Sequence, residues 1–147
     1  AMALGYTPRI YGKRISIHSK KLARVLMEEI YEGGVKKLPD AAFSCSEYTL
    51  MWAFTLEGGV VLGASSKNRE VVFRATSPLI LNQVLDLLEL VLGKRPHVRG
   101  RGLIYIKDRA TIEEFYRKIA FLPRARAVRG KHRGIEKNLL LKLLISS

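Results

Sequence analysis

Few side chains in this sequence are of the kind that do covalent or metal chemistry, and their spacing narrows the options. Cys45 is the only cysteine, so neither an internal disulfide nor a thiolate metal site is open to it. His18, His97 and His132 stand far apart, without the short spacing of zinc ligands. The carboxylate with most promise is Glu57. It closes the apolar run Leu50 to Leu56 and is followed by Gly58 and Gly59, which places it at a helix C-terminus. The helix dipole disfavours an anion there. A Mg²⁺ ion would compensate, since it takes hard oxygen ligands and often needs only one or two carboxylates plus phosphate oxygens. Two such sites support phosphodiester hydrolysis by activating water and stabilising the leaving oxygen. An ordinary exposed Glu beside a pair of capping glycines is the plainer reading of the same residues.

The basic residues are more numerous and more organised. Lys plus Arg number 26 against 13 Asp plus Glu, a net charge of +13 and a pI near 10.2, which attracts polyanions. Hydrophobic residues make up 48%, a globular share, so the basicity is not that of a disordered tail. Alternation puts Val72, Arg74 and Thr76 on one face of a strand and Arg99 and Arg101 on one face of another. With Ser65 at the end of the preceding strand and Lys67 and Arg69 in the turn that follows it, these residues are expected on one solvent-facing concavity almost free of acids. Arginine there can read guanine and hold phosphate. Val61 and Gly63 on the same face are poor base readers, which leaves specificity there to shape. A second group, Arg124, Arg126, Arg129, Lys131, His132 and Arg133, can lie along phosphates or form a solvated basic loop.

These groups need elements to position them. The chain has 147 residues, the size of one domain, and no low-complexity linker divides it. Tyr11 to Ile17 reads as a half-buried strand. Ser19 caps a helix with the stripe Leu22, Val25, Leu26 and Ile30, ended by Gly33-Gly34. After a connector through Leu38-Pro39, Ser46 starts a second helix that runs to Leu56 and is apolar nearly all round, so it should be buried or packed on a partner. Val60 to Ala64 and Glu70 to Thr76 read as paired strands. Ser77-Pro78 opens a strong helix ending at Gly93. His97 to Arg101 and Leu103 to Ile106 form a tight hairpin. Asp108 caps a helix with Ile112, Phe115, Tyr116 and Ile119 on one side, and Ile135 to Ile145 reads as a terminal helix. The fold class is α+β with an antiparallel sheet.

Ile15 to Ser19 followed by Leu22, Val25 and Leu26 matches Ile104 to Asp108 followed by Ile112, Phe115 and Tyr116. This is either a partial internal repeat or the common form of any strand-cap-helix unit. The longest apolar run, near Leu139 to Ile145, is broken by Lys142, so no membrane span is expected. No secretion signal is recognisable, and with a single cysteine a reducing, cytoplasmic setting is expected.

Leu50-Met51-Trp52-Ala53-Phe54-Thr55-Leu56-Glu57-Gly58 resembles the LAGLIDADG motif of homing endonucleases in a diverged form. Leu38-Pro39 is similar to the connector of intein-type members. Phe73 to Ser77, Val98 to Ile106, Ile112 to Leu122 and Lys137 to Lys142 resemble the later strands and helices of that family. The match covers residues 38–147, and residues 1–37 form a strand-helix extension. The resemblance implies an α-β-β-α-β-β-α domain whose four-stranded antiparallel sheet forms a saddle over the DNA major groove. It implies a homodimer packed through the motif helix at Trp52, Ala53 and Leu56. It also implies Mg²⁺ held by Glu57, and a basic residue just before the last helix, Lys131 or Arg133, near the scissile phosphate. Trp52, Met51 and Leu56 depart from the family, which has small residues that let the helices approach, and Thr55 replaces an acid. The function implied is Mg²⁺-dependent site-specific cleavage of double-stranded DNA. A catalytically inactive DNA- or RNA-binding regulator or splicing helper of the same fold is the alternative. A ribonucleoprotein-associated structural protein fits the composition alone.

Overall fold

A computed structural model of the chain describes residues 9–11, 14–16, 18–63 and 68–146. Its main unit is a four-stranded antiparallel sheet with helices packed on one face. The expected order of elements from Ser46 onward is found. Helix α2 (Ser46–Glu57) leads into β5 (Gly58–Leu62) and β6 (Arg69–Arg74). Helix α3 (Pro78–Leu92) leads into β7 (His97–Arg99) and β8 (Leu103–Ile106), and α4 (Arg109–Lys118) and α5 (Lys137–Ser146) follow. The sheet order is β5-β6-β8-β7, so β6 and β8 are central and the two hairpins meet along them.

Local sequence accounts for most boundaries. The Ser77 hydroxyl accepts from Ile80 N at 3.2 Å, Pro78 opens α3, and Gly93 ends it at φ +75°, where a side chain would be strained. Asp108 caps α4 by accepting from Thr111 N at 3.0 Å. Burial alone would raise the Asp108 carboxyl, but the bonds from Thr111 and the nearby Lys94 outweigh it and hold it below the usual range. Helix α2 starts where expected with a different cap. Cys45 occupies the N-cap without a side-chain bond, and the Ser46 hydroxyl donates to Phe43 O at 3.2 Å.

The inward-facing side of the sheet carries Val71, Phe73, Ile104 and Ile106, all buried. They meet Leu50 and Phe54 of α2, Val84, Leu87 and Leu88 of α3, and Ile112 and Phe115 of α4. Phe54 is the hub, with ring centroids 5.1 Å from Phe73 and 4.8 Å from Phe115. Each fully buried Phe or Leu contributes on the order of 2 kcal/mol through transfer from water.

The N-terminal region differs from expectation. Instead of a single strand over Tyr11 to Ile17 there is a hairpin of β1 (Arg9–Tyr11) and β2 (Arg14–Ser16), with residue 17 outside the described set. Ser19 does cap α1 (Lys20–Ile30), accepting from Leu22 N at 3.1 Å. Gly33-Gly34 does not end that helix. Its two positive φ angles, +56° and +78°, form the two-residue turn between β3 (Tyr31–Glu32) and β4 (Val35–Lys36). The connector from Asp40 to Cys45 winds into a 3₁₀ helix. Gln83 of α3 fastens it by pairing with both the N–H and the C=O of Leu38, at 2.7 and 3.3 Å. No helix among the described residues is long and apolar enough to cross a membrane.

Candidate nucleic-acid interface and cleft

The strand register decides which side chains share the outer face of the sheet. Val61 pairs with Glu70, Gly59 with Val72, Val72 with Tyr105, Arg74 with Leu103, and His97 with Tyr105. Arg74 and Arg99 therefore lie on the outer face, as alternation predicts. Arg69 does not. It pairs with Leu62, shares the parity of buried Val71 and Phe73, and directs its Nε to Gly63 O at 3.4 Å. Arg101 sits at the exposed tip of the β7-β8 turn rather than on a strand, and Thr76 lies in the bend beyond β6. Ser65 and Lys67 lie outside the described residues.

The expectation of a face almost without acids is also corrected at its centre. Glu70 belongs to that face and is only 5% exposed. Arg99 Nη2 donates to its Oε2 at 2.7 Å, and Lys107 Nζ stands 3.9 Å away. The alternation Glu70-Val72-Arg74 carried this placement.

At the foot of α2 the chain folds into an open cleft of about 490 Å³. It is lined by Glu57, Gly58 and Gly59 with Val72 and Arg74 of β6, Leu103 of β8, Val128 and Arg129 of the basic segment, and Lys137 of α5. The cleft thus joins Glu57 to the outer face of the sheet. Glu57 itself is exposed. Gly58 follows it because nothing larger fits: a Cβ there would stand 2.8 Å from Phe54 Cδ1, Phe54 O and Val72 O. That close approach between the end of α2 and β6 is the local reason for glycine after Glu57.

Lys137 is the functional candidate that sequence reasoning missed. It is 6% exposed, and its Nζ donates to Thr55 O at 2.8 Å and Gly58 O at 2.9 Å, the carbonyls that end α2. It also lies over the Phe121 ring, 5.4 Å from the centroid. Burial pushes its ammonium below the ordinary lysine value, and the Glu57 carboxylate pulls it partly back. One signal was available: a lysine as first residue of a helix opposes the dipole of that helix, so it serves another element. Here that element is α2, whose C-terminal demand for a cation Lys137 satisfies. The dipole therefore does not by itself require a metal at Glu57.

Among the described residues no three of His, Cys, Asp and Glu cluster to hold a metal. One chain offers Glu57 alone in this cleft. With phosphate oxygens and water that is the least Mg²⁺ uses, and a second copy would supply a second carboxylate.

Lys131 and Arg133 lie in the exposed turn between Gly130 and Gly134, and neither lines the cleft. The basic segment is a pinned loop rather than a free tether. Ala127 N bonds Ile135 O at 2.9 Å, Lys137 N bonds Ala125 O at 2.8 Å, and His132 Nε2 lies 3.2 Å from Leu62 O. Arg126 turns back to donate to Gly134 O at 2.7 Å, Arg124 is exposed at φ +70°, and Arg129 reaches the cleft.

On α2 the exposed apolar residues are Tyr48, Trp52 and Leu56, spaced at i, i+4 and i+8 along one face. Tyr48 and Trp52 meet edge to face at 6.5 Å. Ala53 is set off this stripe and packs against the core. No family model, curated protein or solved structure matches the chain.

Proposed function

We propose that this chain is a nucleic-acid-binding protein of LAGLIDADG type that lays the outer face of its sheet on duplex DNA and cleaves it as a homodimer. The observation that carries this reading is the cleft that gathers Glu57, Lys137, Arg74 and Arg129 on the DNA-facing side of the sheet. The α-β-β-α-β-β-α order and the four-stranded antiparallel sheet agree with what the family resemblance implies, and the +13 charge supplies the attraction. Arg129 and Arg74 hold backbone phosphates at the cleft rim. Glu57 offers its carboxylate for Mg²⁺, with a second Glu57 coming from a partner copy. A Mg²⁺ ion there supplies Lewis acidity and an activated water. Lys137 lines the same cleft, with two of its N–H groups engaged at the end of α2. The exposed stripe Tyr48-Trp52-Leu56 meets its counterpart in the partner.

A second reading has a specific observation behind it. Lys137 already neutralises the end of α2, and Trp52 is bulky where close helix packing would want a small residue. Both suit a descendant that binds without cutting, as a regulator or an RNA-splicing helper.

Incubation with long duplex DNA libraries in Mg²⁺ and in Ca²⁺ tests the two together. Discrete cuts in Mg²⁺ only, lost in Glu57→Gln, are expected for the nuclease. Tight, salt-sensitive binding without cuts in either metal selects the binding module. Absence of binding to any nucleic acid defeats both.

A further inference from the structure

Glu70 stands on the solvent side of a central strand and is nevertheless buried. What covers it is basic: Arg99 Nη2 at 2.7 Å and Lys107 Nζ at 3.9 Å. The Arg99 guanidinium also lies over the Tyr105 ring, 4.2 Å from its centroid, and His97 stacks on the same ring at 5.9 Å. Tyr105 fixes the plane of the guanidinium and Glu70 fixes its direction. The Arg99 side chain still keeps 49% of its surface in solvent, so a ligand can reach it.

This arrangement is costly for a merely structural contact. Taking a carboxylate out of water is unfavourable before pairing, and an apolar residue of similar size often serves stability as well or better. It is equally ill suited to general phosphate attraction, because an acid beside an arginine cancels the field that draws a phosphate. What the pair does achieve is order. A free surface arginine loses rotamer freedom when a ligand fixes it, and here the fold has already fixed it. A pre-set planar fork with little net charge suits hydrogen bonding to a base edge.

The rest of the face points the same way. Gly59, Val61, Val72 and Leu103 bring no side-chain donors to it. Besides Arg74 at the cleft, the side-chain donors on the strands of this face, His97, Arg99 and Tyr105, stand at the β7-β8 side. A guanidinium matches the O6 and N7 acceptors of guanine in the major groove better than any other base edge.

We infer that Glu70 is a positioning residue that holds Arg99 as a fixed fork for a guanine in duplex DNA. The inference rests on the nucleic-acid reading above and names the base that the sheet selects.

Selection from randomised duplex DNA by the wild-type chain, Arg99→Lys and Glu70→Gln tests it, with salt dependence and melting temperature measured for each. The wild type should select a guanine at one fixed position, by about 5- to 150-fold over other bases, the range of one good bidentate contact. Arg99→Lys keeps the charge and should lose that preference while keeping its salt slope. Glu70→Gln should weaken the same preference at the same position, with affinity for random duplex unchanged or raised. If Glu70→Gln instead weakens all sequences equally and keeps the guanine, the pair is structural and the inference falls. Arg99→Lys keeps a cation beside Glu70, so a guanine retained there overturns the inference even if Glu70→Gln fails to fold. A wild type that binds no duplex DNA overturns the parent reading as well. A wild type that binds, with variants that select the same site, overturns the inference alone.

Discussion

Lys137 Nζ lies 2.8 Å from the carbonyl oxygen of Thr55, and this contact joins α5 to the end of α2, 82 residues earlier. A buried ammonium bonded to two helix-terminal carbonyls neutralises the end of α2 and fixes where Glu57 emerges.

Lys137→Met should therefore destabilise the fold by about 2 kcal/mol, the cost of losing charged hydrogen bonds and leaving two carbonyls without their donor. Chemical denaturation measures it. The pH dependence has a definite sign. Burial holds the folded-state pKa of Lys137 below the ordinary 10.5, so between the two values the unfolded chain carries more proton. The wild-type contribution then makes stability rise with pH across that window, and Lys137→Met should remove that rise. An unchanged denaturation midpoint would show that the contact does not support α2.

Glu57→Gln should abolish Mg²⁺-dependent cutting while leaving duplex binding and the denaturation midpoint nearly as they are, because Glu57 is exposed. It should also move Lys137. The carboxylate raises the pKa of the neighbouring ammonium, so its removal lowers that pKa further. An NMR titration of the labelled lysine Nζ reads this shift without reference to activity. Cutting that survives the substitution would remove Glu57 from the chemistry.

The partner surface is tested on Leu56. It is 71% exposed on the stripe with Tyr48 and Trp52, so Leu56→Glu should change monomer stability by no more than about 0.5 kcal/mol. Sedimentation equilibrium should nevertheless show a self-association weakened tenfold or more, with Trp52→Glu behaving alike. A wild type that stays monomeric at all accessible concentrations would count against the dimer.

Much of the fold was legible because local chemistry decided it. Ser77-Pro78 and Gly93 bounded α3, Asp108 opened α4, and strand alternation put Arg74 and Arg99 on one face and Phe73 on the other. The departures have different causes. Arg69 reads from sequence as a turn residue, whereas the register with Leu62 turns it to the other side. Glu70 shares its face with Arg74 by the same strand alternation. Lys137 meets α2 across 79 and 82 residues of sequence, and no local period encodes such a contact. Nearness to the last helix points to Lys131 and Arg133, and in the fold the turn that holds them, pinned where Ala127 bonds Ile135 and Gly134, does not line the cleft. Gly33-Gly34 can end a helix or turn a hairpin, and only the pairing of Tyr31 with Lys36 decides.

The glycine pair after Glu57 provides the sharpest contrast. Gly58 and Gly59 are neighbours in one strand, and neither has a positive φ. Conformational freedom is thus not what either supplies. A Cβ on Gly58 would meet Phe54 Cδ1, Phe54 O and Val72 O at 2.8 Å, two of them backbone atoms that cannot step aside, whereas a Cβ on Gly59 meets nothing within 4 Å. Gly58→Ala must push α2 away from β6 and disturb the packing of Phe54 against Phe73, at a cost of about 1–3 kcal/mol, as overpacking does. Gly59→Ala should instead stabilise the chain by about 0.4–1 kcal/mol, because alanine restricts the unfolded chain and costs nothing in the folded one. Denaturation of the two variants side by side separates close approach from flexibility. Since the same displacement would carry Glu57 away from Lys137, Gly58→Ala should also impair cutting where Gly59→Ala does not. Equal effects at the two positions would mean that the helix-sheet contact does not set the geometry of the cleft.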